Sequence, residues 1–136
     1  MITLNSFSES IVNLIKPAIT KGWKLVADLG ELVENKDLAA YFTVSKSTSV
    51  IYGNTTMRLD CELVGTLLFE ERTNKEVDEL TNDLYQAIYT TLKSLPKYTE
   101  LECGAIYLDC DPQLPETDTD DYYYSFRMPL VIHAQF

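Results

Sequence analysis

Between Thr56 and Phe69 the chain alternates with a strictness that only an extended strand can satisfy. Met57, Leu59, Cys61, Leu63, Gly65, Leu67 and Phe69 fall on one side, and Thr56, Arg58, Asp60, Glu62, Val64, Thr66 and Leu68 on the other. A period of two over this length means one face buried and the other largely wet. The preceding run, AAYFTVSKSTSVIY over residues 39–52, is rich in β-branched and aromatic residues, and Gly53-Asn54 supplies a turn signal. Together they predict a hairpin. Its strands exceed the usual five or six residues, so its tip is expected to reach beyond the core.

A long apolar strand face needs a cover, and Thr73 to Leu95 provides one. Val77, Leu80, Leu84, Ile88, Leu92 and Leu95 recur every three or four residues and form a single stripe. Thr73 and Glu76 have capping-box spacing, and Pro96 marks the stop. A second helix is expected over residues 6 to about 21. Its stripe is Phe7, Ile11, Leu14, Ile15, Ala18 and Ile19, with a Ser6/Glu9 capping box. Pro17 should kink or end it after Lys16, and Gly22 is a stop signal. Residues 23–38 fit helical and extended readings equally. They are taken as a loop-rich excursion with short strands, in which Trp23 is a core or interface anchor.

Two further strands are expected after the long helix. Glu102–Cys110 is one. The other alternates from Tyr122, Tyr124, Phe126, Met128, Leu130, Ile132 and Ala134 to Phe136. Pro129 within it lacks a ladder donor, which places that strand at an edge or at a bulge. Between the two, DPQLPETDTDD reads as an exposed loop that binds no metal. The expected architecture is α+β, with residues 1–136 as one domain. It is a two-layer sandwich in which two helices cover an about four-stranded, mainly antiparallel sheet. The order is α, short β, β, β, α, β, β.

The charge is −10 overall and unevenly placed. Eight acids and no Lys or Arg lie between Tyr98 and Phe126, leaving 13 acids and 11 bases elsewhere. There is no basic stripe to grip phosphates, which disfavours direct nucleic-acid binding. No window approaches the roughly 18 apolar residues of a membrane span. The N-terminus lacks the pattern of a signal peptide, so assembly in a cytoplasm is expected. Cys61, Cys103 and Cys110 contain no CxxC pair and are expected to be reduced thiols. Cys61, on the apolar side of its strand, reads as a small buried hydrophobe.

His133 is the only histidine. Alone, it makes no conventional Ser–His–Asp or Cys–His site, unless a cysteine approaches it in space. EF-hand spacing is absent from the aspartates 109–121, and no P-loop, GxGxxG or HExxH motif occurs. No enzyme activity and no cofactor are expected. Tyr122-Tyr123-Tyr124 is different: neighbours on a strand point to opposite faces, so Tyr123 should present its ring outward or to a partner.

The order of these elements resembles the tail terminator proteins of long-tailed bacteriophages of the phage lambda type, with the related tail completion, or tail-to-head joining, proteins. The resemblance covers Phe7 to Phe136. It rests on the short amphipathic opening helix, the irregular acidic stretch leading into AAYFTVSKSTSVIYG, the strand TTMRLDCELVGTLLFEE, the helix TNKEVDELTNDLYQAIYTTLKSL, and the acidic ETDTDD feeding a final strand. It implies a virion protein of the tail, assembled in the host bacterial cytoplasm. Members form a hexameric ring on the head-proximal end of the tail tube. The ring stops tube polymerisation and offers a docking surface to the head-completion or connector protein. DNA passes through without specific binding, and no membrane is involved. On this reading Trp23, Tyr41, Val50, Tyr52, Tyr122, Tyr123 and Tyr124 are candidate interface residues. Asp109, Asp111, Glu116, Asp118, Asp120 and Asp121 form a candidate DNA-repelling or rim region. The alternatives are an acidic DNA-mimic inhibitor of a DNA-binding protein and, third, a small hydrolase or binding module using the acidic loop and His133.

Overall fold

A computed structural model describes residues 3–34, 38–52, 56–69, 72–119 and 123–136. Its elements are α1 (Leu4–Ile19), β1 (Lys24–Leu25), α2 (Leu29–Val33), β2 (Ala39–Tyr52), β3 (Thr56–Leu68), α3 (Asn74–Ser94), β4 (Thr99–Glu100), β5 (Ile106–Pro112), β6 (Glu116–Thr119) and β7 (Tyr124–Gln135). The class is α+β with a mainly antiparallel sheet. Among the described residues there are seven strands in place of the expected four, and three helices in place of two. The sheet runs β1-β2-β3-β7-β5-β4, and β6 also pairs with β7. Among the described strand pairs only β1–β2 is parallel.

The extra strands have local causes. Gly104, at φ 99°, turns the chain between β4 and β5, and Leu101 N–H donates to the Ala105 carbonyl at 2.8 Å. A left-handed φ costs glycine nothing, so the turn forms there. It moves the expected strand 102–110 to Ile106–Pro112. Of the segment 111–121, expected to be loop, the described residues 111–119 are largely strand: the first complete β5, and Glu116–Thr119 form β6 beside β7. Proline content misled here because Pro112 lies on a strand near the margin of the sheet, where a missing donor breaks no interior ladder.

β7 is an interior strand, flanked by β3 along one side and by β5 and β6 end to end along the other. Of the two placements expected from Pro129, an edge or a bulge, the edge is wrong; the ladder on the β5/β6 side is interrupted opposite it. Gln113 N–H donates to the Pro129 carbonyl at 2.9 Å, in the gap between β5 and β6. The amide and carbonyl of one residue face the same neighbour in an antiparallel strand. The imide nitrogen of Pro129 thus faces the interruption, where no donor is needed. The tip of the β2–β3 hairpin, residues 53–55, which was expected to reach beyond the core, lies outside the described residues. Thr56 already pairs with Gln135, so β3 is embedded between its neighbours throughout.

α1 and α3 contact each other and lie on one face of the sheet, α1 over β2 and α3 over β5. Beneath them Leu59, Cys61, Leu63 and Leu67 of β3 meet Phe126, Met128, Leu130 and Ile132 of β7, all buried. α3 begins at the expected Thr73/Glu76 capping box and buries Leu84, Ile88 and Leu92. Tyr107 Oη donates to the carbonyl of Leu92 at 2.9 Å, meeting one of the acceptors left open near the helix end. α1 starts earlier than the Ser6/Glu9 pattern implies: its capping box is Thr3 with Ser6. It also runs past Pro17 to Ile19, because Pro17 sits on the exposed side of the helix. The buried Ser10 hydroxyl accepts from Cys103 N–H at 3.0 Å and donates to the Ser6 carbonyl at 2.9 Å, tying α1 to the β4–β5 turn.

Within residues 23–34 the chain forms a two-residue strand and a short helix, capped where Asp28 accepts from Glu31 N–H at 2.7 Å. α2 lies against β2, and Leu32 joins Val26 and Ala39 in a small second cluster to which Tyr41, Leu68 and Tyr123 add their rings and side chain. No helix among the described residues is long and apolar enough to cross a membrane.

Two substitutions test this packing. Leu84, 2% exposed, is core, so Leu84→Ala should cost about 2–5 kcal/mol in denaturant unfolding; a loss well under ~1 kcal/mol would mean the stripe is misassigned. A Cβ on Gly65 would lie 2.5 Å from Phe42 Cε1. Gly65→Ala should therefore destabilise by about 1–3 kcal/mol through overpacking, measured the same way.

Candidate functional site

With one face of the sheet under α1 and α3, the other is left largely without a helical cover; α2 reaches only its corner at Ala39, Leu68 and Tyr123. The register fixes which side chains share that open face. Asp109, His133 and Arg58 lie in one row across β5, β7 and β3, and Asp111, Val131 and Asp60 in the next. Glu62 lies beside Pro129. Glu116, Arg127, Val64 and Thr43 form a row from β6 to β2, followed by Asp118, Ser125, Thr66 and Tyr41. The polar positions of five separate strands thus become one surface.

Its charge is dominated by carboxylates. Among the described residues, Asp60, Glu62, Asp109, Asp111, Glu116 and Asp118 stand on this face with two arginines and His133. The pairings are loose or exposed. Arg58 Nε donates to Asp60 Oδ1 at 2.9 Å, while Arg127 approaches Glu62 only to 3.9 Å. Lys93 of α3 reaches around the margin of β5 to 4.0 Å from Asp111, which also accepts from Gln113 Nε2 at 2.8 Å. Exposed pairs of this kind contribute about 0–1 kcal/mol, so they do not neutralise the face. His133 Nδ1 lies 2.6 Å from Asp109 Oδ1, an orientation that fixes the ring. Glu116, Asp118, Ser125 and Arg127 line an open hollow of about 590 Å³.

The sequence-derived residues separate into distinct environments. Trp23 is 7% exposed and meets the Phe69 ring edge-on at 5.8 Å, so in this fold it is a core anchor and offers no surface. Tyr124 is half-buried and stacks on Phe69 at 4.3 Å. Tyr123 does turn away from the main core, but packs against the α2 cluster with Tyr41. The side chains of Val50 and Tyr52 lie outside the described residues, as do Tyr122, Asp120 and Asp121. Asp109, Asp111, Glu116 and Asp118 are brought to one face. Asp60, Glu62, Arg58 and Arg127 join them and were missed, although they occupy the polar half of the alternation that predicted the strands. Leu114 was missed too: it is 77% exposed in the gap between β5 and β6.

The chemistry available here is modest. His133 stands on the open face, whereas Cys61 and Cys110 are buried on the opposite one, so no cysteine–histidine pair forms between them. Among the described residues no cluster of three or more His, Cys, Asp or Glu could hold a metal ion. Burial pushes the Cys110 thiol up to about 12, outweighing the pull of Lys93 in the other direction. Burial, and then the proximity of Cys110 and Asp109, likewise raises the Tyr107 hydroxyl. The chain matches no protein-family model and no curated protein.

The raised thiol sets an alkaline limit. Its ordinary value is 9.0. Above that pH the unfolded chain loses the proton while the folded one keeps it, so stability is full below about pH 9 and falls towards pH 12. Denaturant unfolding across that window should show the loss, and Cys110→Ala should flatten the part of the slope between pH 9 and 12.

Proposed function

We propose that this chain is a structural virion protein that forms a ring at the head-proximal end of a phage tail tube. There it ends tube polymerisation and offers the surface on which the head docks. The observation that carries the reading is the sheet with two unlike faces, one packed under helices and the other bare and carboxylate-rich. Four long strands with α1 and α3 on one side make a two-layer subunit. Set in a ring with the helices outward, such subunits line the hole with Asp60, Glu62, Asp109, Asp111, Glu116 and Asp118. Like charge keeps DNA phosphates from adhering to that wall, so the genome slides through. The number six, the tail tube protein and the head-completion or connector protein as partners, and the virion location all follow from the family resemblance.

One observation favours the DNA-mimic alternative. The carboxylates sit on strands, where alternate residues are held about 6–7 Å apart, and not on a loop. Arg58 and Arg127 interrupt that array with positive charge, which an imitation of a phosphate backbone would avoid. The ring remains the better reading.

Deletion of the gene from its phage is the test. Heads and tails should accumulate unjoined, with tubes of abnormal length or ragged ends in electron micrographs. Normal infectious particles would overturn the proposal. So would purified protein that inhibits a nuclease by occupying its DNA site.

A further inference from the structure

The sheet has two margins, and they are unlike. On one side β2 is paired by β1 only at Ala39 and Ala40. Beyond that point Val44 N–H donates to Ser8 Oγ at 3.1 Å, and the Ala40 carbonyl accepts from Val26 N–H at 2.9 Å. These bonds show which residues turn their peptide groups outward. By alternation Phe42, between them, does the same. Its edge lies in a groove of about 540 Å³ between α1 and the β1–α2 segment, walled by Ser8, Val12, Lys16, Leu25 and Thr43. On the other side of the sheet β6 pairs with β7 alone among the described residues.

Direction and level both match. β2, β3, β7 and β6 alternate in direction at each antiparallel pairing. An even number of strands makes the two margins antiparallel to each other. Identical copies placed side by side, related only by a rotation, therefore continue the antiparallel pattern across the junction. The register also sets β6 level with the groove: Glu116 aligns through Arg127 and Val64 with Thr43, and Asp118 through Ser125 and Thr66 with Tyr41. A closed ring has no rise from one subunit to the next, so elements at one level are the ones that meet.

Charge selects this pairing over self-pairing. β6 and its flank carry Glu116 and Asp118 with no Lys or Arg, whereas β2 contains no acid and a single base, Lys46. Two β6 strands in contact would oppose carboxylates, and two β2 strands would leave the acidic margins unused. An unpaired edge strand is a template for another chain, and lysine or proline near it limits indiscriminate pairing. Lys93 at Asp111, and Pro112 and Pro115 on either side of the β5–β6 gap, confine access to β6.

We infer that the β6 margin of one copy of this chain adds as an antiparallel strand to the β2 margin of the next, in the groove beside α1. The occupant of the groove is thus a second copy of the protein. The contact is heterologous, which propagates around a ring and cannot close as a two-fold dimer. It carries the helices to one side of the continuous sheet and the acidic face to the other. The inference rests on the ring reading and specifies its subunit contact.

Disulfide trapping tests it in a Cys103→Ser background, with native mass measured in parallel on concentrated protein. Glu116→Cys and Thr43→Cys combined in one chain should, on mild oxidation, give a ladder of linked subunits on non-reducing gels. Either substitution alone should leave monomers. Leu114→Asp, on the same margin but exposed in the monomer, should lower the native mass to that of the monomer while the thermal transition stays unchanged. Dimers from Thr43→Cys alone would show a two-fold β2 contact and overturn the inference. A ring by native mass with no ladder, or a ring unaffected by Leu114→Asp, would overturn the contact and leave the ring reading standing. A monomeric mass for the unaltered concentrated protein would overturn both.

Discussion

The burial of one face of the β3–β7 pair under α3 and α1 is the interaction on which the rest of the structure depends. Each of Leu63, Leu67, Phe126, Met128, Leu130 and Ile132 is fully withdrawn from water. At about 1.5–3 kcal/mol for each fully buried side chain of this size, that seam dominates the favourable terms. It also forbids slippage. A shift of one residue would bring Arg58, Asp60 and Glu62 into the core and put the apolar set in solvent. The register that the core enforces is the same register that assembles the polar face. Packing and the surface are two results of one constraint.

This coupling explains what could be read from the sequence. β3, β7 and α3 were legible because each spends a regular period on one unbroken apolar surface. The open face was legible only in halves. Asp109 to Asp118 stood out as a cluster in the chain, while Asp60 and Glu62 looked like ordinary wet positions of a strand. Their meeting depends on β3 and β5 both flanking β7, and no local pattern states strand order. The errors have their own physical reasons. Pro129 and Pro112 read as breaks, but one faces a gap and the other a marginal strand. Pro17 read as a stop, but its ring points to solvent. Gly104 turned the chain where a continuous strand was expected, because a residue that accepts φ 99° costs little there. Trp23, read as a core or interface anchor, and Tyr124, an interface candidate, both meet Phe69 at one end of the core, the first edge-on and the second stacked.

The two sides of the sheet answer different demands. The covered side is settled within the molecule, down to the Tyr107 hydroxyl that meets a carbonyl of α3 and the Ser10 hydroxyl that holds the β4–β5 turn. The open side and the margins are not settled in that sense. Among the described residues carboxylates on that face outnumber its basic side chains, the groove beside β2 is partly polar, and Leu114 stands in water. In a lone molecule an acidic face of this kind serves solubility. In the proposed ring each of these features is placed against the next copy or towards what passes by.

The interior position of β7 also bears on how the molecule comes into being. β7 joins β3 on one side to β5 and β6 on the other, yet it is synthesised after every strand it pairs with. Until it leaves the ribosome, the β2–β3 hairpin, the longest pairing formed nearby in sequence, has its apolar face incompletely bordered, β5 has only the two-residue β4 beside it, and β6 lacks its β7 partner. The contacts that unite the sheet join residues as far apart as Thr56 and Gln135, and non-local pairings of this kind fold slowly. The nascent chain therefore passes through a period in which unpaired edges are offered to its neighbours. Acidic side chains on those strands, Glu62, Asp109, Asp111 and Glu116, set like charge against like at such edges, which opposes their premature association.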